Sequence, residues 1–112
     1  MKLRPANQRI EMSGEDAIRV LREIELILVS LHKIGSYYAV SDEGEASYAR
    51  ETTRFIDEWR VVDRLAEARG LLSRPFDSTL ADDGMDDLER ELQVVEAWSS
   101  PRSSPGSSRT DG

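Results

Sequence analysis

The stretch SGEDAIRVLREIELILVSLHKIG, from Ser13 to Gly35, decides the fold class. Most of its apolar residues recur every three or four positions around Ile24, which is the period of an α-helix. Ser13 is a suitable N-cap, and Gly35 is a typical residue for a helix to stop at. The stretch therefore predicts one long amphipathic helix over residues 13–35.

The same helix carries apolar residues on a second side. At about 100° per residue, Ile18, Leu26 and Val29 fall roughly opposite the main stripe. A helix that is apolar on two sides is either central in its fold or shared with a partner. Because homodimers with twofold symmetry are the commonest oligomers, these three residues are predicted to mediate self-association.

Two further helices follow from the same periodicity. One is predicted over residues 45–69 and ends at Gly70; a shorter one is predicted over residues 85–98, with Asp82 or Asp83 as its cap. The apolar stripe of the second helix consists of Tyr48, Thr52, Phe55, Trp59, Val62 and Ala66.

The connection between the first two helices, residues 35–45, is short enough to turn the chain back. No segment alternates with period two over more than a few residues, so no strand is predicted. The expected fold is all-α: an antiparallel helical hairpin plus a third, shorter acidic helix, forming a small helical bundle completed by dimerisation.

The chain of 112 residues fits one domain. Residues 1–12 carry three basic residues and no apolar period, which predicts a flexible basic arm. Residues 13–98 hold most of the apolar side chains and form the expected helical domain. Residues 99–112 read SSPRSSPGSSRTDG, a composition that predicts a disordered tail.

Composition excludes several function classes. The formal charge is −7, with 22 Asp and Glu against 15 Lys and Arg, which argues against direct binding to nucleic acid or an anionic membrane. The chain has no cysteine and one histidine, so thiolate ligands and multi-histidine metal sites are excluded within it. No apolar run reaches the roughly 20 residues of a membrane span. We expect a cytoplasmic protein without cofactor or metal.

The segment 77–98 is the strongest anomaly of charge. The segment has eight acidic residues and one basic residue, Arg90. Its net charge of −7 therefore equals that of the whole chain. It predicts a docking surface for a basic protein partner; the alternative is acids that are simply solvated near a helix N-terminus. The predicted partner-binding residues are Asp82, Asp83, Asp86, Asp87, Glu89 and Trp98.

These features favour a small non-enzymatic protein-interaction module, an accessory, adaptor or inhibitor protein that self-associates and presents its acidic helix to a basic surface. No phosphate-binding, nucleophile or metalloprotease motif is present, and no catalytic residue is assigned. One alternative is a small all-α enzyme with a site between helices that uses His32, Glu25 or the tyrosines. Another is a structural subunit of a larger assembly.

Overall fold

The computed structural model describes residues 1–101, and within that range the chain is all-helical with no strand. The four α-helices are α1 (Gly14–Ala39), α2 (Gly44–Glu58), α3 (Val61–Ser73) and α4 (Asp87–Leu92), preceded by a 3₁₀ turn at Pro5–Asn7. The all-α class is thus confirmed. Most of the predicted tail, residues 102–112, lies outside the described part.

The chain divides into two compact units. The helical unit, Pro5–Phe76, contains α1, α2 and α3, which pack against one another. The acidic unit combines Met1–Arg4 with the described residues from Asp77 to 101 and contains α4. The predicted division at residues 13 and 99 stays a prediction.

The first helix begins as expected and ends later. The backbone N–H of Asp16 donates to the Ser13 side chain at 3.0 Å, which confirms Ser13 as the N-cap. Gly35 does not stop the helix, which continues to Ala39. A glycine inside a helix costs only about 1 kcal/mol, and contacts of the final turn, such as Tyr38 with Tyr48 at 6.1 Å between ring centroids, can offset that.

The predicted second helix is two helices. It breaks after α2 at Trp59 and Arg60, and Arg60 adopts the left-handed conformation, with φ 52° and ψ 49°. The prediction of one helix was wrong because no glycine or proline marks the break. Gly70, the expected stop, lies inside α3, which ends at Ser73 just before Pro75.

Two small clusters form the core of the helical unit. Val20 packs with Ala68 and Leu71, and Ile27 packs with Phe55 and Val61. Glu23, between Val20 and Ile27 in the chain, pairs with Arg64, which lies between Val61 and Ala68. Positions along α1 therefore pair with positions along α2 and α3 in the opposite order.

The break changes which residues of α3 face α1. A continuous helix would have kept Phe55, Trp59, Val62 and Ala66 on one side. Instead Val61 is buried, and Val62 is 69 % exposed. The predicted stripe of the second helix is correct for Phe55 and wrong beyond it, because the left-handed residue changes the rotational phase of α3 relative to α2.

The third predicted helix is shorter than expected. α4 covers only Asp87–Leu92, and Asp86 caps it rather than Asp82 or Asp83. Trp98 lies outside any helix and is 84 % exposed.

Arg60→Gly should raise the free energy of unfolding by about 0.5–1 kcal/mol, because glycine adopts the left-handed conformation without the Cβ penalty. The matched control, Arg54→Gly inside α2, should lower it by about 1 kcal/mol. Urea unfolding followed by circular dichroism measures both. A less stable Arg60→Gly variant would show that the break carries no backbone strain.

Candidate interaction surfaces

The acidic unit is held together by many of its own carboxylates. Asp86 and Glu89 form a complete capping box at the start of α4: each side chain accepts a hydrogen bond from the backbone N–H of the other. Asp77 accepts a hydrogen bond from the backbone N–H of Thr79 at 2.7 Å. Carboxylates at such positions satisfy backbone donors that would otherwise lack partners.

Arg90 is the cation at the centre of this unit. Its Nε and Nη2 donate to both carboxylate oxygens of Asp83, at 2.7 and 3.0 Å, which is the bidentate geometry of a strong charged pair. Its Nη1 donates to Asp87 at 3.1 Å. Asp87 is only 3 % exposed and also accepts the backbone N–H of Arg4 at 2.7 Å. The network therefore ties α4 both to residue 83 and to the N-terminal segment.

These bonds stabilise the ionised form of Asp83. The hydrogen bond from Arg90, followed by the backbone N–H of Met85, lowers the pKa of Asp83 from 3.8 to about 2. The same contacts, first with Asp83 and then with Asp87, raise the pKa of the Arg90 guanidinium above its ordinary value.

The predicted partner-binding residues now separate into two sets. Asp83, Asp86, Asp87 and Glu89 form hydrogen bonds inside the acidic unit, whereas the exposed Asp82 and Trp98 side chains form no hydrogen bond or ion pair within residues 1–101. That these residues bind a partner stays a prediction. The structure shows that internal bonds already engage much of the charge that suggested it.

The predicted self-association residues do not share one environment. Leu26 is half-buried and packs against the cluster of Ile27, Phe55 and Val61. Ile18 is 50 % exposed and Val29 is 37 % exposed. Their role in self-association stays a prediction.

A larger exposed apolar surface includes residues of the predicted α1 stripe. Several residues of the central stripe of α1 are exposed, up to 61 % at Leu21 and Leu28. Apolar side chains of α3 are exposed as well, among them Leu65 at 47 %. The sequence signal for this surface is the width of the α1 stripe, part of which stays exposed when α1 packs against α2 and α3. We call it the α1–α3 apolar face; its members are Leu21, Ile24, Leu28, Leu31, Val62, Leu65 and Leu72.

Three tyrosines meet where α1 ends and α2 begins. Tyr37 and Tyr38 contact edge-to-face at 4.8 Å between centroids, and Tyr38 lies against Tyr48. The Tyr37 hydroxyl donates to Glu43 at 3.1 Å, and this hydrogen bond raises the pKa of Tyr37. An open cleft of about 280 Å³ lies beside Tyr38 and Tyr48. These rings pack on one another where the two helices meet.

The residues suggested for catalysis do not converge. His32 and Glu25 are exposed on α1, and neither side chain makes a hydrogen bond or ion pair within residues 1–101. Over the same range, no three His, Asp or Glu side chains gather closely enough to hold a metal ion. Among the described helices, none is long and apolar enough to cross a membrane.

Comparison of the chain with family models, with curated proteins and with solved structures yields no match.

Asp83 should remain ionised well below its ordinary pKa of 3.8. A carboxyl group whose pKa is lowered by folding stabilises the folded state at pH values above its pKa in the unfolded chain. That contribution should therefore be lost as the pH falls from about 4 to about 2. The ¹³C shift of the Asp83 carboxyl, followed by NMR, measures the titration.

The control is Arg90→Gln, which removes the charged donor and should return the Asp83 midpoint toward 3.8. An unchanged midpoint in that variant would mean that Arg90 is not what holds the carboxylate in its ionised form.

Proposed function

We propose that this chain is a non-enzymatic helical protein-interaction module that self-associates. The observation that carries the proposal is the amount of apolar surface left on the helical unit. Six apolar side chains are buried, and none is below 2 % exposure, whereas fourteen larger apolar or aromatic side chains of the same unit are at least 36 % exposed. Seven of the fourteen form the α1–α3 apolar face, and an exposed apolar patch of this kind is typical of interaction sites.

The proposed architecture is an antiparallel hairpin with α1 as one arm and α2 with α3 as the other. The opposite order of contacts along the two arms supports it, with Glu23 bound to Arg64 at 2.9 Å and Asp16 near Arg74 at 3.9 Å. A single hairpin buries one side of each helix, and small helical proteins commonly complete their core by association. Dimerisation would complete the bundle.

A second element of the proposal is that the acidic unit meets a basic protein surface. Support comes from the segment 77–98, whose eight acidic residues face one arginine, and from exposed Asp82 and Trp98 within it. Charge of one sign steers an oppositely charged partner toward its site, and an exposed tryptophan is a frequent anchor. A cytoplasmic location belongs to the proposal too and rests on the absence of cysteine.

Self-association predicts a concentration-dependent mass. Light scattering on the full chain should give the protomer mass of 12.6 kDa at high dilution and twice that mass at about 100 µM. A constant mass of 12.6 kDa up to that concentration would remove self-association from the proposal. The partner-binding element would then need its own test.

Charge reversal tests whether the acidic unit binds a partner, at exposed residues outside the hydrogen-bond network of Arg90. Asp82→Lys with Glu96→Lys changes exposed groups and leaves the Arg90 network in place. Affinity capture from the native source should lose salt-sensitive partners with this variant.

The matched control reverses exposed carboxylates of the helical unit, Glu58→Lys with Glu67→Lys, and should keep those partners. Equal retention by both variants would exclude the acidic unit as a docking surface.

A further inference from the structure

We infer that a second copy of this chain covers the α1–α3 apolar face. The inference rests on the proposed self-association and names the surface and the occupant. It differs from the expectation built on Ile18, Leu26 and Val29, because the packing of α1 leaves a different side bare.

The two halves of the face lie on the same side of the helical unit. On α1, Leu28 lies roughly a quarter turn from buried Val20 and Ile27, at about 100° per residue, and Ile24 lies about half as far round in the same sense. On α3, Leu65 and Leu72 lie about a quarter turn from Ala68 and Leu71, in the same rotational sense. Contacts pair the two helices in opposite directions. When two helices pack antiparallel, residues rotated by the same angle and in the same sense from the buried line of each helix lie on the same side of the pair.

The other side of the unit is polar. There α3 presents Asp63 and Glu67, and α1 presents Arg19, all of them exposed. The α1–α3 pair therefore has one apolar and one charged side, which is the pattern of a single layer of a larger helical bundle.

The face is large enough for a stable dimer. Its seven side chains are 36–69 % exposed. Their apolar surface is on the order of 600 Å², within reach of the roughly 800 Å² that each partner of a standard interface buries once a polar rim is added. Ile56 and Trp59, at 39 % and 50 % exposure, can extend it from α2.

A second copy is the occupant that the chain's chemistry favours. The C-terminal sequence SSPRSSPGSSRTDG has no apolar side chain with which to cover the face. Residues 5–76 contain ten Lys and Arg against thirteen Asp and Glu, so two copies of this unit repel each other little. Twofold stacking brings like apolar surfaces together and forms a shared core from two hairpins.

Ile18 and Val29 are poorer candidates for this interface. Both lie on the side of α1 that points away from α2 and α3, beyond the edge of the apolar face. Exposed Arg22 and Glu25 lie near them on the same side. Scattered apolar residues among charges are ordinary protein surface.

Neighbouring residues of α1 provide a matched test. Leu28→Glu places a charge in the apolar face, and Val29→Glu makes the same change on the far side. Both positions are exposed in the protomer, so helical content by circular dichroism should be similar. Sedimentation equilibrium should show dimerisation weakened at least about tenfold by Leu28→Glu and nearly unchanged by Val29→Glu.

A labelling experiment avoids the introduction of charge. Because the chain lacks cysteine, Leu28→Cys and Val29→Cys each create a single thiol. Maleimide labelling of the Leu28→Cys chain should slow as the protein concentration rises and the face becomes covered. Labelling of Val29→Cys should not slow.

The outcomes separate this inference from the proposed function. A wild-type chain that stays monomeric rejects both. A dimer that resists Leu28→Glu but dissociates with Val29→Glu rejects only the inference and restores the surface around Ile18 and Val29. Slowed labelling at position 29 and not at position 28 likewise rejects only the inference.

Discussion

The helical unit depends on a one-sided packing constraint. α1 packs against α2 and α3, and the buried apolar residues of each helix lie on the side that faces its neighbours. Arg64 connects the break between α2 and α3 to α1: it donates to the carbonyl of Trp59 at the end of α2 and to Glu23 of α1, at 2.7 and 2.9 Å. Both partners of the ion pair are about two-thirds buried or more, so solvent screens it less than the exposed pairs. The apolar surface of α1 and α3 that this packing leaves exposed is the α1–α3 apolar face.

The acidic unit answers a different physical problem. None of its described apolar side chains is buried, and charged hydrogen bonds order it instead: a capping box at Asp86 and Glu89, and Arg90 bound to Asp83 and Asp87. A charge run in a sequence gives no sign of whether its carboxylates are free or bonded. Here many are bonded, so the carboxylates are weaker evidence for a partner than the exposed α1–α3 apolar face is.

Helix content could be predicted from sequence because periodicity is a local property. The start of α1 at Ser13 is such a case, since a serine hydroxyl and a nearby backbone N–H decide it. The end at Ala39 and the break at Arg60 could not be predicted. Both depend on contacts between distant segments that outweigh local preferences of about 1 kcal/mol. The α1–α3 apolar face was missed for the same reason: Leu21 and Leu28 belong to the predicted stripe, but packing against α2 and α3 leaves them exposed.

Three properties follow from local sequence patterns: the chain is helical, its first helix begins after Ser13, and its helices carry more apolar surface than a small core can bury. Hydrophobic period and capping chemistry act within a few residues, so they can be read directly. Which part of the apolar surface stays exposed depends on how the helices pack. The left-handed residue at position 60 turns α3 so that Val61, Ala68 and Leu71 face α1, while Val62, Leu65 and Leu72 do not. Such a rotation depends on the best simultaneous fit of three helices, which no local pattern encodes.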